Sequence, residues 1–166
     1  MTHGGTVDPT DARILLELTE HPRATTLALA DRVGISRNTA QARLARMERD
    51  TLASFERRVP PAVLGYPLTA FITAAVTQRR LDEVAAALAT VPEVLEVHGI
   101  SGPVDLMIHV VARDADDLYR VAGRILAIPG VERTNTALVM RQLVDYRITP
   151  LLRQEAEPGE ADATSE

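Results

Sequence analysis

Apolar residues in the first fifty positions recur every three or four residues, a spacing typical of short amphipathic helices. The first predicted helix begins after Asp8, a favourable N-cap, has Pro9 in its first turn and runs to about Glu20. Its inner stripe includes Ile14 and Leu18. Two further short helices fit within the same fifty residues, so that three helices can share one small core.

The stretch from residue 27 to residue 49 predicts those two helices, joined by a tight corner. Gly34 ends the first of them where the backbone must turn sharply, and Ser36 can cap the second. Ala40 and Met47 lie on the buried side of the second helix. This arrangement is that of a helix-turn-helix, whose second helix enters the major groove in many DNA-binding proteins.

The outward side of the second helix carries short, amide and basic side chains. Short side chains permit close approach to DNA, and amides can read the edges of adenine. We expect Arg46 and Arg49 to contact phosphates, and Asn38, Thr39 and Gln41 to lie near base edges. The candidate DNA-binding residues are Ser36, Arg37, Asn38, Thr39, Gln41, Ala42, Arg43, Arg46 and Arg49. The alternative interpretation is an ordinary solvated helix face.

The remainder of the chain changes from helical spacing to an order of strand, helix, strand, strand, helix and strand. This order over residues 68–150 predicts a ferredoxin-like domain, which follows a helix-turn-helix domain over residues 1–60 and a linker over residues 61–67. Residues 52–64 predict an extended strand or wing at the end of the first domain. The acidic, small residues 151–166 are expected to form a disordered tail.

The second and third predicted strands form a hairpin that turns at Gly102-Pro103. Side chains that alternate onto one face, suited to packing under helices, are Leu95, Val97, Leu106, Ile108 and Val110. Side chains on the opposite face are Glu96, His98, Ile100, Asp105, Met107 and His109. Because this mixed face is left open, we expect a second copy to cover it, with His98, Ile100, Met107 and His109 in a dimer interface. The last strand is predicted from Val131 to about Ile148.

The charge of the chain is unevenly distributed. The net charge is −5 and all 18 basic residues are arginine. Residues 1–60 hold nine arginines against eight acidic residues, whereas residues 61–166 hold nine against fifteen. Six arginines between Arg37 and Arg58 face three acidic residues, so a basic patch suited to duplex DNA survives in an acidic protein. The low aromatic content of 3% argues against base-stacking platforms.

Several other classes of protein are disfavoured by the sequence. The absence of cysteine excludes disulfides, thiol catalysis and cysteine-ligated metals. No export signal or uncharged apolar run of membrane-spanning length is present, so a cytoplasmic location is expected. Of the four histidines, His3 and His21 lie apart, and only His98 and His109 share one predicted sheet face, where Glu96 or Asp105 could add a third metal ligand. Hydrogen bonding at an interface is the usual role of such residues. No serine triad or phosphate-binding glycine loop occurs. No catalytic residue, metal or cofactor is therefore predicted.

The sequence resembles the Lrp/AsnC family of bacterial and archaeal transcription regulators over about residues 7–151. The motifs that carry the resemblance are Val7-Asp8-x-x-Asp11-x-x-Ile14-Leu15, Leu29-Ala30-x-x-Val33-Gly34-Ile35-Ser36, Arg43-Leu44-x-x-Met47-Glu48, Leu64-Gly65, Gly102-x-x-Asp105 and Pro129-Gly130-Val131 with Arg133-Thr134-x-Thr136. The resemblance implies a dimer formed through the C-terminal sheets, often assembled into tetramers or octamers, and regulated by amino acids or similar small molecules.

The effector site that this resemblance implies lies around Ser101, Gly102 and Asp105, with Thr134 and Thr136 from the final strand or a neighbouring subunit. Backbone N–H groups of the turn can bind a carboxylate, and Asp105 can accept from an ammonium group. The alternative is a plain hairpin turn in which Asp105 pairs with an arginine. Two other functions stay open: siroheme decarboxylases resemble this family and use histidines in the C-terminal half, and the helix-turn-helix of an assembly protein can pack against protein.

Overall fold

The computed structural model describes residues 7–157, which form two compact units. The first unit contains the described residues up to Phe55 and the segment that begins at Val144, and the second comprises Glu56–Leu143. The elements in chain order are α1 (Pro9–Glu20), α2 (Thr26–Val33), α3 (Arg37–Asp50), β1 (Leu68–Val76), α4 (Leu81–Leu88), β2 (Val94–Gly99), β3 (Leu106–Ala112), α5 (Ala115–Leu126), β4 (Val131–Leu138) and α6 (Thr149–Ala156). Within this part of the chain, no helix is long and apolar enough to cross a membrane.

The three predicted N-terminal helices are present, with the predicted caps. Asp8 and Asp11 form a reciprocal capping box at the start of α1, in which each side chain accepts from the backbone N–H of the other residue. Gly34 ends α2 in the left-handed conformation, with φ +75°, and Ser36 caps α3. One residue from each helix forms the buried centre of this unit: Ile14, Val33 and Met47.

The predicted extended wing after α3 takes a different form. The chain makes two short 3-10 turns there, at Phe55–Arg58 and Pro61–Leu64, and no strand forms between α3 and β1. Pro60 and Pro61 have no backbone N–H to donate to a neighbouring strand. Local bonds replace strand pairing, such as the one from Val59 N–H to the Glu56 carbonyl at 2.9 Å.

The second unit has the predicted ferredoxin-like order. Its strands form one antiparallel sheet in the order β2-β3-β1-β4. Residues of α4 and α5 pack on one face of this sheet and form its core with alternating strand residues: Ala70, Ile72, Ala74, Val76, Val84, Leu88, Leu106, Ile108, Val110, Val121 and Ile125. The other face of the sheet carries no helix of this unit.

Two details of the sheet differ from the prediction. The register of β2 against β3 shifts between Val94 and Glu96, and this bulge leaves Leu95 42% exposed instead of under the helices. The last strand ends at Leu138, about ten residues earlier than expected. Its partner β1 begins at Leu68, so the backbone beyond Val139 has no neighbouring strand with which to pair.

The expected disordered tail begins with a helix. Residues 149–156 form α6, which starts with Pro150 in its first turn and packs against α1 of the first unit. Leu152 is the buried residue of this helix. The prediction missed this short apolar segment because the C-terminal stretch as a whole is acidic. Residues 158–166 of the predicted tail lie outside the described residues, and so does His3.

Candidate nucleic-acid interface and effector region

The corner between α2 and α3 fixes the start of α3 through local hydrogen bonds. The backbone N–H of Ile35 donates to the Ala30 carbonyl at 3.0 Å, which closes the end of α2. The Ser36 hydroxyl accepts from the Thr39 N–H at 3.1 Å and lies 2.8 Å from the Thr39 hydroxyl. The two predicted hydroxyl contacts to DNA are therefore already engaged in capping the helix.

One side of α3 is open to solvent along its whole length. Its buried side contains Ala40 and Met47, neither of which has exposed surface. The exposed residues of the helix include the predicted set Arg37, Asn38, Thr39, Gln41, Ala42 and Arg49, together with Ala45. Near the middle of this side the short Ala42 and Ala45 leave room for a close approach to a groove.

The other two predicted DNA-binding arginines lie in ion pairs with α1. Arg43 Nη1 is 2.5 Å from Asp8 Oδ2 and 2.9 Å from Asp11 Oδ1. Arg46 Nη2 is paired with Asp11 Oδ2. Asp11 has no exposed side-chain surface, so its charge requires these cationic partners. Both arginines thus hold α3 against α1, which differs from the expected phosphate contact of Arg46.

The ion pairs between α1 and α3 favour the ionised forms of the two aspartates. Burial alone would raise the pKa of the Asp11 carboxyl, but hydrogen bonds from Arg46 and Arg43 outweigh that cost and keep the pKa below its ordinary value. The hydrogen bond from Arg43 likewise lowers the pKa of Asp8. Arg37 and Arg49, by contrast, form no ion pair within residues 7–157 and are exposed. These two are the arginines of α3 whose charge is available to an external anion.

The open face of the sheet holds the predicted interface residues. His98 lies opposite Met107, which in turn lies opposite Thr73, and directly opposed residues of antiparallel strands share a face. His109 lies opposite Glu96 and stacks on the Phe71 ring at 5.0 Å between centroids. Ile100, which follows the end of β2, is half-buried.

A polar cluster surrounds Glu96 on this face. Arg57 Nη2 lies 2.7 Å from Glu96 Oε1, His98 Nε2 lies 3.5 Å from Oε2, and His109 Nδ1 lies 4.0 Å from Oε2. Burial lowers the pKa of the His109 imidazole, and the opposing effect of Glu96 is smaller. No group of three or more histidine, aspartate or glutamate side chains among residues 7–157 is arranged to hold a metal ion.

The predicted effector turn lies over the end of β1. Asp105 Oδ2 accepts from the Val76 backbone N–H at 2.8 Å, and Oδ1 accepts from Gln78 Nε2 at 2.5 Å. Each carboxylate oxygen therefore already accepts one hydrogen bond within the chain. Ser101 and Gly102 are exposed, and Gly102 has φ +134°, a conformation that favours glycine.

The structure also connects this turn to β4. Arg133 Nη2 donates to the carbonyl oxygen of Pro103 at 3.1 Å. Thr134 and Thr136 lie opposite Ala74 and Ile72, so they share the helix-side face of the sheet. Arg133, which the prediction did not include among the site residues, thus links the turn to β4, while Thr134 and Thr136 lie on the opposite face of that strand.

Two family models match this chain in the same order as its two units. The model of the AsnC-type helix-turn-helix domain matches residues 7–48, and the model of the Lrp/AsnC ligand binding domain matches residues 69–149. The chain belongs to the Lrp/AsnC family. A similar protein, the HTH-type transcriptional regulator Rv2324 of Mycobacterium tuberculosis, is 33% identical over 141 residues, which are 84% of this chain and 95% of the relative.

Solved Lrp/AsnC structures have the same fold. The structure of Escherichia coli AsnC is similar with a TM-score of 0.77 and 27% identity, covering 88% of this chain and all of that one. The feast or famine regulatory protein Rv3291c of M. tuberculosis, solved in complex with L-methionine, is similar with a TM-score of 0.73 and 26% identity, covering 86% of this chain and 97% of that one. This Lrp/AsnC chain is a DNA-binding transcriptional regulator.

The pairing of Arg43 with α1 could have been predicted from the helical pattern of the sequence. On α3, Arg43 lies closer to the buried residues Ala40 and Met47 than to the exposed side. A charged residue near the buried side of a helix needs a partner of opposite charge, because charged side chains are almost never buried unpaired. The paired carboxylates of Asp8 and Asp11 were the available candidates.

Proposed function

We propose that this regulator reads its operator with the exposed side of α3, placed in the major groove. The observation that carries the proposal is the contrast within α3 between the paired Arg43 and Arg46 and the unpaired Arg37 and Arg49. The first two hold the helix in place, and the second two can neutralise phosphates on either side of the groove.

Base reading then falls to the amide side chains. Asn38 and Gln41 are exposed beside the short Ala42 and Ala45, so their amide groups can reach base edges. An amide side chain can donate to adenine N7 and at the same time accept from the adenine N6 amino group. Ser36 and Thr39 support this reading by capping the helix, and the backbone N–H groups at its start add favourable positive potential for a phosphate.

The experiment compares two arginines of the same helix. In Arg49→Ala, binding to all duplexes should weaken, and the slope of log affinity against log salt should decrease by about one unit for one lost phosphate contact. In Arg46→Ala, the salt slope should stay near that of the wild type, while the thermal stability of the first unit should fall because Asp11 loses a partner. Identical salt slopes in Arg49→Ala and the wild type would refute the role of Arg49.

A third variant tests base reading separately from phosphate binding. Asn38→Ala should reduce the difference in binding free energy between operator and random DNA by about 1–3 kcal/mol for one lost paired contact. Its affinity for random DNA should stay unchanged, since the amide carries no charge. Equal losses on operator and random DNA would contradict the assignment of Asn38 to base edges.

We propose that two copies pair through the open sheet face that contains His98, Ile100, Met107 and His109. A half-buried Met107 and an exposed Phe71 on a face without helices favour burial against a second copy. A dimer would present two α3 helices to one duplex and double the basic patch. In this proposal the two histidines belong to the interface and take no part in a decarboxylase-like reaction. Because its operator is chromosomal DNA, we also infer a cytoplasmic location for the regulator.

We also propose that an amino acid or similar small molecule binds near the turn of residues 101–105. A structural relative was solved in complex with L-methionine. The turn in this protein has exposed backbone close to Arg133, whose guanidinium group can bind a carboxylate. Asp105, each of whose carboxylate oxygens already accepts one hydrogen bond, would shape the turn or exchange partners on binding. Thr134 and Thr136 stay candidates on β4 or from a neighbouring subunit.

Calorimetric titration with the twenty amino acids tests this effector site. Asp105→Ala and Arg133→Ala should each abolish the binding that the wild type shows. Arg79→Ala is the control, because Arg79 is an exposed arginine of the same unit that lies outside the turn and β4. Binding that survives both substitutions would refute the site, and absence of binding to the wild type would indicate a regulator without an amino-acid effector.

A further inference from the structure

The last helix of the described residues, α6, belongs to the DNA-binding unit. Helix α6 packs against α1, and both belong to the first compact unit although they come from opposite ends of the chain. Leu152 is 9% exposed, and Thr149 and Ala156, three residues before and four residues after it, are half-buried on the same helical stripe. Leu151, the neighbouring residue, is 65% exposed.

Helix α1 is buried on more than one side. Ile14, Leu15 and Leu18 pack with residues of α2 and α3. Ala12 lies well outside this stripe at about 100° per residue, yet it has no exposed surface. Since α2 and α6 are the helices packed most closely against α1, we attribute the burial of Ala12 to α6.

The beginning of α1 in turn holds α3. Asp8 caps α1 and Asp11 lies in its first turn, and their carboxylates bind Arg43 and Arg46. A displacement of α1 would therefore move or release the ionic contacts that orient α3. Contacts pass without interruption from α6 through α1 to α3.

We propose that α6 is a positioning element for DNA binding, which supports α1 and so keeps α3 in the orientation that reads the operator. Leu152 is its anchor and touches no DNA. The inference rests on the proposed function of α3. It implies that the DNA-binding unit consists of α6 as well as α1, α2 and α3. A segment of residues 1–60 alone lacks this support.

The test compares two adjacent leucines in the full-length protein. Leu152→Asp places a charge in the contact with α1, and Leu151→Asp places the same charge on the exposed side of α6. The probe is a duplex that the wild type selects from a random pool. We expect Leu152→Asp to weaken binding by about tenfold or more and Leu151→Asp to stay within about twofold of the wild type, at unchanged oligomeric state.

Hydrogen exchange gives a second measurement that needs no DNA. In Leu152→Asp the amides of α1 and α3 should lose protection while those of β1 and β3 keep theirs, because the second unit does not depend on α6. Leu152→Ala, a milder change, should give the same pattern with a smaller loss, and Leu152→Met should restore both affinity and protection. These two variants decide the matter if the aspartate variant fails to fold.

Wild-type affinity in Leu152→Asp, unchanged protection of α1 and α3, or failure of Leu152→Met to restore binding would overturn the inference. Failure of the proposed function has a different signature. If Arg49→Ala binds DNA as the wild type does while Leu152→Asp exposes α1 and α3 to exchange, then α6 supports the unit but α3 is not its reading helix.

Discussion

Two clusters of charged side chains, one in each unit, are built on opposite principles. In the first unit, the fully buried Asp11 meets two guanidinium groups whose partners all come from the same chain. In the second unit, Glu96 keeps 36% of its side-chain surface exposed and is approached by Arg57 and two histidines on the open sheet face. The first cluster is complete within one chain, whereas the second faces outward.

The difference extends to the kind of charge that each cluster uses. Arginine stays protonated at all physiological pH values, so the contacts of Arg43 and Arg46 with α1 are permanent. The imidazole of His109 near Glu96 can by contrast gain and lose a proton, and burial lowers its pKa. A permanent cluster suits a helix that must keep one orientation on DNA, and a titratable one suits a surface where subunits meet.

The largest effect should come from breaking the permanent cluster. Asp11→Asn keeps the size of the side chain but leaves Arg43 and Arg46 with less negative charge to pair with. We expect a loss of about 3 kcal/mol in the unfolding free energy of the first unit, at the low end for a broken buried ion pair because both guanidinium groups keep some access to water. Hydrogen exchange of the α1 and α3 amides measures it.

Glu17→Gln is the matched control for that substitution. It removes the exposed pair between Glu17 and Arg32 in the same unit, at 3.3 Å, and should cost less than about 0.5 kcal/mol. Equal losses in Asp11→Asn and Glu17→Gln would contradict the buried cluster.

The stability of the same unit should also depend on pH. Because the pKa values of Asp8 and Asp11 are lowered in the folded state, their stabilisation is complete above about pH 4 and is lost as the pH falls further.

The positions of the helices and strands followed from local signals, because caps and periodicity act within a few residues. Asp8, Gly34 and Ser36 mark helix ends wherever the rest of the chain lies, and each does so in the structure. The end of β4 was predicted wrongly because it depends on where β1 begins. The bulge at Leu95 likewise depends on pairing with β3, which alternation along one strand does not reveal.

The candidate site was predictable to the same extent. The exposed residues Asn38, Gln41 and Arg49 followed from helical geometry on α3 alone. The partner of Arg46 did not, because Asp11 lies 35 residues away in the sequence, and only the packing of two helices brings them together. Exposure on one helix is a local property, while the difference between a free and a paired arginine is a tertiary one.

A smaller effect should follow from placing a fixed charge on the outward-facing surface. Met107→Asp puts a carboxylate at the centre of the proposed interface, next to His98 on the neighbouring strand. We expect dimerisation to weaken by about 2 kcal/mol, or about 30-fold in dissociation constant, since His98 partly compensates the buried charge. Sedimentation of the full-length protein over a range of concentrations measures the change.

Tyr119→Asp provides the comparison for that experiment. Tyr119 is 82% exposed on α5, which covers the opposite face of the sheet, so the same charge there should leave the dissociation constant unchanged. A Met107→Asp variant that stays dimeric at the lowest concentration would show that the open face is not the interface.

The smallest effect concerns the titratable cluster itself. Burial lowers the pKa of His109 in the folded state, so the unfolded chain takes up its proton first as the pH falls. His109 therefore stabilises the second unit fully above about pH 6.5, and this contribution is lost as the pH falls from there through the folded pKa. Glu96 opposes the shift and His98 adds to it.

Unfolding of the second unit at pH 7.5 and pH 5.5 measures this effect, well above the acid range in which the carboxylates of Asp8 and Asp11 in the first unit titrate. The wild type should be less stable at the lower pH, and His109→Gln should lose most of that difference because the amide does not titrate. His98→Gln, on the same face but with 57% of the side chain exposed in the wild type, should keep it. A His109→Gln protein with the full wild-type pH dependence would assign the titration to another group and leave the two clusters less different than their geometry indicates.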